Sequence, residues 1–140
     1  MIATHREYQG TREAARELED ALADAEASAQ TREPLWQHML CRSIESMLYE
    51  RYAEIGDYEA RHPNSAESGA QDARVDIGRS LMRARILADI PHEDLARRLG
   101  MNEVELLALE ASRFAGATLE PAERIADALG VRLQVAFTRR

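Results

Sequence analysis

Apolar residues recur along this chain in steps of three and four, and the pattern is interrupted once by a stretch that has almost none. In the first half, Ala14, Leu18, Ala21, Leu22 and Ala25 fall on one side of a helix that Thr11 is placed to cap and that runs to about Ala27. After a short turn Thr31 can cap a second helix, with Pro34 tolerated in its first turn. Its stripe consists of Leu40, Ile44, Met47, Leu48 and Ile55, extended by Trp36, Tyr52 and Tyr58. Running to about Tyr58, this helix spans ~37 Å at 1.5 Å per residue. The two together predict an antiparallel helical hairpin over residues 1–60.

The first helix offers a narrow, Ala-rich face and the second a broad aliphatic and aromatic one, so the hairpin does not satisfy itself. A second copy is the simplest cover, and Trp36, Leu40, Ile44, Met47, Leu48 and Ile55 are the expected oligomerisation residues. The alternative is that the stripe packs back on the C-terminal half. Residues 61–75, RHPNSAESGAQDARV, are poor in large apolar side chains and read as a linker.

Beyond the linker the periodic segments shorten. Ile77, Leu81, Ala84, Arg85 and Ala88 open a helix, and Leu95, Ala96 and Leu99 mark a second that stops at Gly100. Val104, Leu106, Leu107 and Leu109 mark a third; Leu119, Ile125, Ala126 and Leu129 mark a fourth that stops at Gly130. Val131, Leu133, Val135 and Phe137 then alternate with Arg132, Gln134 and Ala136, the period of a half-buried strand that needs another edge, most simply one from a second subunit. The fold class expected is mainly all-α with one short C-terminal β-strand, and residues 76–140 form its second domain.

The segment His92 to Glu110, HEDLARRLGMNEVELLALE, has the internal logic of a helix-turn-helix. Leu95, Ala96 and Leu99 anchor one helix, small Ala96 permits close approach, Gly100 supplies a positive φ, Asn102 can cap the next helix, and Leu106 packs inward. Here the sequence resembles the Cro/cI-type (XRE) helix-turn-helix family. Arg79 to Arg85 is similar to that family's first helix, Glu110 to Leu119 to the loop after its recognition helix, and Glu123 to Gly130 to its fourth helix. Arg6-Glu-Tyr8 resembles the opening of a helical extension found in one branch. The resemblance implies a lambda-repressor-like domain in a dimeric regulator that binds operator DNA. Related domains serve as antitoxins, which bind a toxin and repress their own operon.

Charge complicates that implication. The chain carries a net −7, and all 18 basic residues are Arg. Residues 1–75 hold 8 Arg against 15 Asp and Glu, while residues 76–140 hold 10 against 10, so the excess negative charge lies in the first half. The positions expected to face DNA are Arg97, Arg98, Asn102, Glu103, Val104, Glu105, Ala108 and Arg113, with Leu107 also turned outward on the third helix. No basic residue falls between Arg98 and Arg113. Arg97, Arg98 and Arg113 suit phosphates, whereas the paired carboxylates Glu103 and Glu105 oppose them. Arg79, Arg83, Arg85, Arg139 and Arg140 are further basic positions.

Other chemistry is thinly represented. His38 and Cys41 stand three apart on one helix, but two ligands make a poor metal site, and a core thiol beside a surface imidazole is the better reading. His92-Glu93-Asp94 reads as a helix start with acids where the dipole favours them. There is no Gly-rich phosphate loop followed by Lys, no zinc spacing, and no nucleophile with a recognisable partner. The expectation is a non-enzyme without cofactor or metal. One Cys, a charged N-terminus and no long apolar run point to a soluble cytoplasmic protein with no membrane contact. Two functions follow: a dimeric operator-binding regulator, or a protein-interaction module, either an antitoxin whose acidic hairpin meets a basic toxin-like partner or a helix-turn-helix that has lost DNA binding.

Overall fold

The computed structural model describes residues 1–29, 31, 33–63, 77–114 and 119–131, and within them the chain is helical, with no strand. The elements are α1 (His5–Ala27), α2 (Pro34–Arg61), α3 (Ile77–Leu87), α4 (His92–Leu99), α5 (Glu103–Ala111) and α6 (Leu119–Ala128). The expected strand beyond Val131, with Arg139 and Arg140, lies outside the described residues, as does most of the expected linker; Arg61 ends α2.

α1 is capped seven residues before the expected position. Thr4 is the N-cap: its hydroxyl accepts from Glu7 N at 3.1 Å, while Glu7 reaches back to the Thr4 amide in a reciprocal capping box. Thr11 instead lies inside the helix, donating its hydroxyl to the Glu7 carbonyl at 2.9 Å. The capping pair carries no apolar signal, so periodicity alone starts the helix too late. Arg6-Glu-Tyr8 consequently belongs to the first turn of α1. Thr31 does not cap α2 either; it donates to the Ser28 carbonyl at 2.9 Å within the turn, and Glu33 precedes Pro34 as N-cap without a side-chain bond.

α1 and α2 pack along each other, with Ala15, Leu22 and Ala25 of α1 against Cys41, Ile44, Leu48, Tyr52, Ile55 and Tyr58 of α2. Met82 and Ile86 of α3 join this same core, while Leu81 of α3 lies in a second core with Ile90, Leu95, Ala96, Leu106, Phe114, Ala122, Ile125, Ala126 and Leu129. α3 is therefore common to both cores, and α1 packs against α5. This corrects the expected oligomer interface: Ile44, Leu48 and Ile55 are buried and Leu40 is half-buried within one chain, because α1 and α3 cover the stripe. Only Trp36, 65% exposed, and Met47, 48% exposed, remain outside.

Local chemistry fixes the joint between α4 and α5. Gly100 adopts φ 68° and donates to Arg97 O, and Met101 donates to Ala96 O at 2.9 Å, which closes α4. Asn102 Oδ1 then accepts from Val104 N at 2.8 Å and opens α5. Gly78 has a different reason. A Cβ there would overlap the backbone carbonyl of Arg113, so α3 passes this turn only where the side chain is absent.

Candidate functional site

α4, the Gly100 turn and α5 put the expected DNA-facing residues in two different situations. Asn102, Val104, Glu105 and Ala108 are exposed, and Glu103 is half-buried with His38 Nε2 3.8 Å from its carboxylate. Leu107, expected to point outward, is buried. The cations around the helix are engaged within the chain. Arg98 Nη1 donates to Ala128 O at 2.9 Å at the end of α6, Arg97 lies 3.5 Å from Asp94, and Arg113 donates to Asp20 of α1. Arg97, with its side chain 78% exposed, keeps most of its surface open.

The acidic excess of the first half meets the arginines of α3. Arg79 Nε lies 2.6 Å from Glu19, Arg83 lies 3.8 Å from Glu59 and 5.4 Å above the Tyr52 ring, and Arg42 of α2 lies 3.6 Å from Asp89. Glu19 also accepts from the Tyr52 hydroxyl at 2.9 Å, and Glu59 from Tyr8 at 2.8 Å. The hairpin is thus the electrostatic complement of the C-terminal helices, with which it shares an interface.

At the centre of that interface lies a cluster that the sequence reading missed. Glu26 of α1, Glu45 of α2, Arg85 of α3, His92 at the start of α4 and Glu110 of α5 are all buried, Arg85 and Glu110 to 1% exposure. Arg85 donates from Nε to Glu110 Oε1 at 2.7 Å, from Nη2 to Glu110 Oε2 at 3.0 Å and to Glu45 at 2.9 Å, and from Nη1 to Ile90 O at 3.0 Å. His92 Nε2 lies 2.8 Å from Glu26 Oε2 and against Glu110 Oε2, and its Nδ1 lies 3.3 Å from Glu45 Oε1.

The groups tune one another. Burial acts to raise the Glu110 pKa, yet Arg85 and then His92 hold this carboxylate well below the usual range. Burial, followed by the hydrogen bond and charge of Glu110, pushes Glu26 strongly upward. Burial disfavours the charge on Arg85, but Glu110 and Glu45 outweigh it and secure the guanidinium. Burial likewise lifts the nearby Cys41 thiol to about 11, so it behaves as a core residue rather than a nucleophile. His38 and Cys41 do not converge: the thiol accepts from Gln37 within the hairpin core, and His38 faces Glu93 and Glu103 at the surface.

One signal for the cluster was present in the sequence. Arg85 stands in the apolar series with Leu81 and Ala88, and Glu19, Glu26, Glu45 and Glu110 occupy apolar-stripe positions beside Leu22, Leu48 and Leu106. Acids inside such a stripe require a buried counter-charge.

No protein-family model matches the chain, and comparison with curated proteins and with solved structures returns no match in either. Among the described residues no helix is long and apolar enough to cross a membrane.

Proposed function

We propose that the chain is a DNA-binding transcriptional regulator of the XRE helix-turn-helix type, acting as a dimer, in which the N-terminal hairpin and DNA compete for the face around α5. The observation that carries this reading is the α4–α5 pair: two short helices joined through left-handed Gly100 and capped by Asn102, with Val104, Glu105 and Ala108 exposed at the start of the second. α1 packs on α5, and Asp20 takes Arg113 where a phosphate would otherwise bind. The acidic hairpin then stands in for the DNA backbone, and operator binding requires it to yield.

The test is gel-shift of the full chain with the intergenic DNA upstream of its own gene. Asp20→Asn frees Arg113 and is expected to tighten binding by about two- to fivefold, the range of an exposed ion pair, whereas Arg98→Ala and Arg113→Ala weaken it. If neither wild type nor Asp20→Asn retards this DNA at low salt, the regulator reading fails.

A second reading is a protein-interaction module of the antitoxin kind. It is favoured by the acidic and apolar exposed face of α5 and by Leu35, Trp36 and Met39, which stand 66%, 65% and 57% exposed at the start of α2. Co-purification of untagged protein with a basic, neighbour-encoded partner, abolished by Trp36→Ala, is its expected outcome; a clean homodimer counts against it.

A further inference from the structure

His92 enters the buried cluster with both ring nitrogens facing carboxylates. Its Nδ1 lies 3.3 Å from Glu45 Oε1, an oxygen that also accepts from Arg85 Nη2 at 2.9 Å. Metal binding would require the imidazole proton to sit on Nδ1, toward Glu45, leaving a lone pair at Nε2. Two more oxygens meet it there, Glu26 Oε2 at 2.8 Å and Glu110 Oε2. Three electron-pair donors from α1, α4 and α5 thus converge within 4.8 Å of one another, on residues 2%, 5% and 1% exposed. The second oxygen of Glu26, Oε1, is also buried and has no hydrogen-bond partner.

Charge points the same way. Burial favours a proton on Glu26; when a metal displaces that proton, three carboxylates against one guanidinium leave two negative charges, and a buried excess of that size is costly unless matched. One divalent cation matches it. An arrangement of one imidazole nitrogen and two carboxylate oxygens is a donor set suited to zinc, and a carboxylate on the far ring nitrogen is the usual means of orienting a metal-bound histidine.

We propose that Glu26, His92 and Glu110 form a buried site for a divalent cation of the zinc class, which ties α1 of the hairpin to α4 and α5. Glu45 fixes the His92 ring through Nδ1, and Arg85 fixes Glu110 through its paired hydrogen bonds. At metal–ligand lengths of ~2.0–2.2 Å, neighbouring donor atoms of a tetrahedral site stand about 3.3 Å apart, so His92 Nε2 and Glu26 Oε2, 2.8 Å apart here, separate by about 0.5 Å on loading, and Glu110 moves further. Glu26 Oε1 is available as the fourth donor. Because the donors come from both the hairpin and the C-terminal helices, the cation binds only when these are packed together. The proposal holds whether or not α5 reads DNA.

The experiment is calorimetric titration of the EDTA-treated full chain with Zn²⁺, comparing wild type, Glu26→Gln and His38→Ala. His38 is the control because it lies 3.6 Å from Glu93 and 3.8 Å from Glu103 in a second, surface grouping. One equivalent is expected to bind wild type and His38→Ala alike, with affinity at least about 100-fold weaker in Glu26→Gln, at or beyond the upper end of what losing an orienting partner costs. The Gln side chain keeps the volume of Glu, and its thermal unfolding in EDTA checks that the fold persists. Should that variant not fold, the visible spectrum of Co²⁺-loaded His38→Ala decides: an intense four-coordinate band supports the site, and its absence overturns it. The proposal is equally overturned if wild type takes up no Zn²⁺, or if binding disappears in His38→Ala and survives in Glu26→Gln. In either case protons, not a metal, balance the cluster.

Discussion

Arg85 and Glu110, 25 residues apart in sequence, are joined by two hydrogen bonds of 2.7 and 3.0 Å in a space that neither shares with solvent. The guanidinium plane matches the carboxylate fork, and the remaining nitrogen closes the turn after α3 at Ile90 O. Removing one partner leaves the other charged and buried. Arg85→Ala is therefore expected to lower stability by about 3–5 kcal/mol, read from the urea midpoint at constant slope, and Arg85→Lys to recover less than half of that because a point charge cannot form the fork. A loss under about 1 kcal/mol in Arg85→Ala would show that the pair contributes nothing net.

Gly78 offers a test of the contact between α3 and the turn after α5. Alanine is the better helix former by about 1 kcal/mol, so propensity alone predicts that Gly78→Ala stabilises the protein. The backbone carbonyl of Arg113 occupies the place of the new methyl group, and backbone cannot give way as a flexible side chain does. The expected result is a net loss of about 1–3 kcal/mol, seen as a lower melting temperature. A variant as stable as wild type would mean that α3 and this turn do not approach so closely.

Two tyrosines set the alkaline limit of the fold. Burial first, then the hydrogen bond and charge of Glu59, raise the Tyr8 phenol from 10.0 to about 12. Burial, then the charge of Glu19 and its hydrogen bond, push Tyr52 up as well. A group whose pKa is higher in the folded state holds its proton there while the unfolded chain releases it. The stabilisation is complete below pH 10, the unfolded value, and is lost as pH climbs from 10 through 12 and beyond. Phenolate absorbance is expected to lag for these two residues and then to rise together with loss of helical circular dichroism. Titration of all four tyrosines near 10, with helicity intact, would contradict this.

What the sequence made legible was mostly local. Gly100 and Asn102 announced the joint between α4 and α5, because a positive φ and a capping side chain are properties of single residues. The stripe of α2 was equally plain, and Leu48 and Ile55 are buried as their spacing requires. What covers that stripe was not readable, since periodicity shows which side is apolar but not what it meets. Met82 and Ile86 cover it from α3, through contacts between segments far apart in the chain that spacing does not reveal. His92 illustrates a different blindness. Beside Glu93 and Asp94 it looks like an ordinary helix start, and only the approach of Glu26, 66 residues earlier, gives its imidazole a role. The Thr4 capping box escaped for want of apolar neighbours, although its Thr-x-x-Glu spacing was there to be read.

α3 belongs to two cores at once, through Met82 and Ile86 on one side and Leu81 on the other. The hairpin and the C-terminal helices are thereby joined through one shared helix. Loosening α3 exposes both interiors, so they share one melting transition, and a substitution in α2 such as Leu48→Ala is felt at α5 without touching it. Severing the chain between α2 and α3 would leave the hairpin without Met82 and Ile86, and would leave those two side chains uncovered on a C-terminal fragment whose second core is otherwise complete.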